Sequence, residues 1–192
     1  LNWIREGYHY GFPWRFGEEE NPQSRPDYDP AADKRLSDDF VAVQQGLYAN
    51  DPDFPPAPME FTDPVRNLGP DGDQYRDESG AQQDASDQGQ TLATFTPHRS
   101  PLGLSFDTDG ALGPDFKGDG FVLSWGAAGG SLTDRGNDLL HLDLAKSGEN
   151  YEAKVTQLVR DFAQPIDSVL VGKTLYVLEY GGTGGIWEVT LP

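Results

Sequence analysis

Cysteine is absent from the 192 residues, which excludes disulfides, thiolate zinc sites, iron–sulfur clusters and thiol nucleophiles. Redox chemistry therefore leaves the compartment open. Positive charge is scarce as well: 14 Lys and Arg stand against 32 Asp and Glu, a formal net charge of −18. A field of that sign repels phosphate backbones and anionic lipid, so neither nucleic acid nor a membrane surface is an expected partner. No apolar run approaches the ~18–20 residues that a spanning helix needs. Leu1 to Trp14 mixes Arg5, Glu6 and His9 among aromatics, unlike the apolar core of a signal peptide. The three histidines show no H-x-H or H-x-x-x-H spacing, and no Ser–His–Asp order stands out, so neither a zinc site nor a triad is read.

What is present in quantity is glycine, 23 residues, and proline, 15. Both punctuate regular structure, and the expected class is all-β with short strands and many turns. The chain divides into unlike halves. Residues 1–95 read as loop-rich, with nine prolines from Pro22 to Pro70 breaking any long helix or central strand. One short helix is predicted over Asp38 to Leu47, closed by Gly46. Residues 71–90 form a polar excursion that needs packing or an ion to hold it, and are read as an insertion.

Residues 96–192 carry seven β-type runs: Leu102–Phe106, Phe121–Trp125, Leu139–Leu144, Tyr151–Val159, Ile166–Val171, Thr174–Tyr180 and Ile186–Leu191. Leu140, Leu142 and Leu144 alternate with His141 and Asp143, so the leucines face a core. Grouped in fours, the runs make one propeller blade and three strands of another. The remaining blades are expected on a longer parent chain or a second chain, and nothing near Leu1 supplies the missing strand.

Several segments resemble a known family. Leu1-Asn2 followed by Gly7-Tyr8-His9-Tyr10-Gly11-Phe12-Pro13, then Pro97 to Phe106, then Gly118-Asp119-Gly120-Phe121-Val122, resemble ordered motifs of the glucose/sorbosone dehydrogenase propellers. Pro165 to Val169, Leu175 to Glu179 and Gly184 to Val189 resemble that family's closing blade. The resemblance implies the C-terminal blades of a six-bladed β-propeller, secreted or periplasmic. It also implies oxidation of a sugar aldehyde or hemiacetal with pyrroloquinoline quinone and calcium. Residues 17–92 have little counterpart. The family's arginine pair stands here as Gln164-Pro165-Ile166-Asp167, and Ser124-Trp125-Gly126-Ala127 lacks the expected lysine.

The candidate cofactor contacts are His98, Arg99 and Trp125. The basic pair is placed at a pocket mouth between Pro97 and Pro101, or alternatively Arg99 is a cation paired with a structural carboxylate. Trp125 is an aromatic able to stack on a ring. The candidate calcium ligands are Tyr10, through the resemblance, and Asp71 and Asp73, an oxygen cluster with Asp77 around Gly72. Asp107-Thr108-Asp109-Gly110 is a further cluster, and an Asp-Gly turn without metal competes in each case. Two functions follow: a sugar dehydrogenase, or a propeller without chemistry that binds a ligand or scaffolds an extracellular assembly.

Overall fold

All seven expected runs are strands, within three residues of the expected bounds at each end. The computed structural model describes residues 1–46, 48, 50–93, 95–126 and 132–191. Two small ribbons lie in the first half: β1 (Arg15–Phe16) with β2 (Glu19–Glu20), and β4 (Gln74–Arg76) with β5 (Gln82–Asp84). Between them lies β3 (Arg66–Pro70). The second half contributes β6 (Pro101–Phe106), β7 (Gly120–Ser124), β8 (Asp138–Ser147), β9 (Asn150–Val159), β10 (Pro165–Val171), β11 (Thr174–Glu179) and β12 (Gly185–Thr190). The fold is all-β, in several open sheets.

The meander β6 to β9 is antiparallel throughout, and β10 to β12 forms a separate three-stranded antiparallel sheet. Two-residue loops join β8 to β9 and β10 to β11, with Gly148 and Gly172 both at φ 58°. That left-handed backbone is what a primed hairpin turn requires at its first central residue.

The two faces of the larger sheet bury two different cores. Phe121, Leu123 and Leu139 point toward the smaller sheet and meet Leu175, Val177 and Leu191 there, with Leu112 and Phe162 closing the ends. Val122, Leu140, Leu142, Ala153 and Val155 point the other way, against Val65, Phe95 and Leu1. Each fully buried side chain of this size contributes roughly 1.5–3 kcal/mol of transfer free energy. The leucines 140, 142 and 144 do share one face, as their alternation predicts. The opposite face carries His141, stacked on Phe121 and bonded to Asp119 at 2.8 Å.

The sheets approach closely where β6 crosses β10. A Cβ on Gly103 would lie 3.1 Å from the Leu123 side chain and 3.2 Å from the Ser168 nitrogen, so this crossing needs a glycine. Ser105 Oγ adds a hydrogen bond to the Ser168 carbonyl, 3.1 Å.

The first half departs from expectation at β3 and in the length of its one helix. β3 adds a fifth strand to the larger sheet, parallel to β9, from a segment flanked by Pro64 and ending at Pro70. Proline is tolerated because β3 is an edge strand, and the register slips between Asn67 and Pro70. Buried Asn67 repairs that slip, donating to the carbonyls of Asp71 and Gly72 and accepting from the Gly69 N–H. The 71–90 excursion is likewise structured, as the β4–β5 ribbon and a short 3-10 turn, Ser86–Gln88. The predicted helix shrinks to α1 (Val41–Gln45), closed as expected by left-handed Gly46, while Leu47 lies outside the described residues.

Candidate functional site

Strand direction gathers the site at one end of both sheets. β6, β8 and β10 begin there and β7, β9 and β11 end there, so residues 96–100, 132–137, 160–164 and 180–184 share that rim. β3 runs parallel to β9, so its C-terminal end brings residues 71–73 to the same place.

Arg99 is the centre of the rim. Its side chain is 1% exposed and its guanidinium pairs with both Asp134 and Asp138, the latter fully buried. Asp134 also accepts from Thr96 Oγ1, and Asp138 accepts from Gln157 Nε2 at 2.6 Å. Gln74 extends the network, its Oε1 accepting the Asp134 N–H at 2.8 Å and its own N–H reaching Thr96 Oγ1. One buried cation therefore ties β4, β8, β9 and two loops together. Of the two readings of Arg99, the structure displays the pairing with structural carboxylates.

The three candidate cofactor residues face different ways. His98 is exposed, with φ 68°, and its ring lies 5.4 Å from Phe40 at the wall of a cleft. Trp125 is half-buried and packs 5.7 Å from Tyr180, its carbonyl accepting from Asn137 Nδ2 at 2.7 Å. A tricarboxylate quinone needs cations facing its cavity, where charge-assisted hydrogen bonds are strong. Arg99 is neutralised behind the wall and Trp125 lines neither of the two cavities described here. The residues that the resemblance points to do not fit the quinone.

Of the candidate calcium ligands, Asp71 and Asp73 line one cavity, and Tyr10 does not line it. Tyr10 belongs to an aromatic N-terminal arm, its hydroxyl donating to the Trp3 carbonyl and accepting from the Arg5 N–H, both at 2.7 Å. Among the described residues no hydrogen bond, ion pair or ring contact joins it to Asp71 or Asp73. Asp77 turns inward on its own ribbon, bonded by Ser79, Ala81 and Gln83. Hydrogen bonds from Ser79 first, then Gln83, hold its carboxyl down at about 2. Asp107 accepts the N–H groups of Ala111 and Leu112 at 2.7 and 3.0 Å, closing its own turn.

The cleft beside His98 encloses about 440 Å³, within the roughly 300–1,000 Å³ of small-molecule sites. Phe16, Tyr28, Phe40, Tyr75 and Phe95 give it an aromatic lining. Its polar groups are fixed in place: Arg35 grips Asp33 through Nε at 3.1 Å and reaches Glu19 at 3.2 Å, while Tyr28 donates to Asp33 at 2.9 Å. Burial alone would raise the Asp33 carboxyl, but hydrogen bonds from Arg35 and Tyr28 outweigh it and hold the group below its ordinary value. Tyr28 is pushed up to about 12, by burial first and then by that same bond. These residues come from the stretch with no motif; the single trace in the sequence is the crowding of Tyr28, Asp33 and Arg35 within one loop.

No family model, curated protein or solved structure matches the chain. What the fold and the rim define is an all-β protein with a preorganised polar and aromatic cleft, and the family resemblance rests on its motifs alone.

Proposed function

We propose that the chain is a propeller-type binding module whose cleft holds a polyhydroxy ligand of the sugar class, without quinone chemistry. The observation that carries the reading is the cleft itself. Aromatic faces take the C–H face of a sugar ring, and the Asp33–Arg35–Glu19 set offers fixed donors and acceptors to its hydroxyls. Arg99, the cation to which the family resemblance points, is buried with two aspartates, which favours binding over the dehydrogenase reading.

The blade assignment is supported by the close β6–β10 crossing, the packing expected of neighbouring inner strands. Further blades, on a longer parent chain or a second chain, are supported by the outer face of β10–β12. There Val169, Val171, Leu178 and Ile186 are 40–69% exposed. An extracellular or periplasmic setting follows from the family resemblance.

Isothermal titration against a panel of mono- and oligosaccharides tests the function. One sugar class binds, and Tyr28→Ala and Arg35→Ala each weaken it by roughly tenfold, about 1.4 kcal/mol. No heat with any saccharide, or affinity unchanged in both variants, refutes it.

A further inference from the structure

A second cavity of about 320 Å³ lies behind the cleft wall, where Gln74 lines it and the next residue, Tyr75, lines the cleft. Its other side chains are mostly charged: Asp71, Asp73, Asp84, Asp134 and Asp161 against Arg135 and Arg160. Several of these charges have partners. Asp134 pairs with Arg99, Arg160 sits 3.8 Å from Asp161, and Asp71 Oδ2 accepts the Gln157 N–H at 2.8 Å.

Asp73 and Asp84 are different. Asp73 is 1% exposed, its Oδ2 accepting the Ser86 N–H at 2.9 Å while Oδ1, also buried, has no hydrogen-bond partner. Asp84 Oδ1 accepts from the Ser86 hydroxyl at 3.0 Å. One serine thus holds two carboxylates side by side at the cavity wall, with a buried oxygen unsatisfied. An orphaned charged acceptor in such a place costs free energy, more than a neutral one. No basic side chain bonds to either carboxylate among the described residues.

We propose that this cavity is a site for a hard divalent cation of the calcium class, bound by Asp73 and Asp84 and bracing the β4–β5 ribbon behind the cleft. The donors are oxygens only, which selects calcium or magnesium over zinc or copper. Among the described residues no third carboxylate or imidazole converges on the point, so water completes the shell. The site differs in place from the one the family resemblance offers at Tyr10, and it does not depend on the cleft's ligand.

The test uses the metal alone, with no saccharide present. Chelator-stripped protein is melted in calcium chloride and in sodium chloride of equal ionic strength, and calcium binding is titrated calorimetrically. The expected result is one site, and a calcium-specific rise in Tm of roughly 5–10 °C at a free concentration a hundredfold above Kd. Asp73→Asn keeps the Ser86 N–H bond through its amide oxygen and so stays folded, yet loses that rise; Asp84→Asn loses it too. An equal rise in Asp73→Asn and the native chain overturns the proposal, as does no rise beyond that of sodium chloride.

Discussion

Replacing Arg99 by alanine should be the most damaging single change in the rim. The substitution leaves Asp138 at 0% exposure and Asp134 at 16%, with the Thr96 hydroxyl and the Gln157 amide to answer them among the described residues. Breaking a buried ion pair from one side costs about 3–5 kcal/mol, because a charge is left uncompensated in a low-dielectric site. For a chain of this length each kcal/mol moves Tm by roughly 2–4 °C, so the melting point should fall by roughly 6–20 °C. Thermal melts followed by far-ultraviolet circular dichroism at neutral pH give the number. Arg99→Met combined with Asp138→Leu should recover most of the loss, since an apolar replacement of a buried pair is often neutral. The reasoning is refuted if Arg99→Ala melts within about 2 °C of the native chain, the range of a surface substitution. Arg99 would then be free to serve a ligand, and the dehydrogenase reading would regain its cation.

Tyr28 gives a pH signature. Its folded value of about 12 lies above the ordinary 10, so the stability it contributes is complete below pH 10 and is lost as pH rises through 12. The stability difference between the native chain and Tyr28→Phe should vanish across that window, and the native spectrum should show one late phenolate that the variant lacks; titration of all tyrosines near pH 10 would contradict this. Gly103→Val should destabilise by roughly 1–3 kcal/mol, because the β6–β10 crossing has no room for a side chain, and a melt indistinguishable from native would mean that the two sheets part easily.

How far the sequence reaches depends on which force writes the signal. The seven strands of the second half were legible as β-type runs between Gly and Asp clusters, and along β8 the faces alternate as read: Leu140 and Leu142 on one, Leu139 and His141 on the other. β3 was not legible, because its position is fixed by a side chain rather than by a period. Asn67 satisfies the slipped backbone, and nothing about an asparagine between Arg66 and Leu68 announces a strand. The same distinction runs through the site. His98 and Arg99 are conspicuous as a basic pair next to proline, but a one-residue step along the chain sends one to the cleft wall and the other into the interior. The carboxylates that decide the matter, Asp134 and Asp138, are 35 and 39 residues away along the chain.

The cleft shows the limit most clearly. Tyr28, Asp33 and Arg35 lie on loops whose course is set by main-chain turns such as Asp29 to Ala32 and Asp33 to Leu36, so their side chains converge without any sequence period. An acidic surface of formal charge −18 hides such a trio among many solvated carboxylates. What separates Asp33 from them is that a guanidinium and a phenol both bind it, which depresses the carboxyl and raises the phenol together. Asp73 is set apart by the opposite condition: it is buried like Asp138, but without an arginine. A buried carboxylate that has found its cation holds a fold together; one that has not, like Asp73, is raised by burial toward its neutral form and has the most to gain from a cation out of solution.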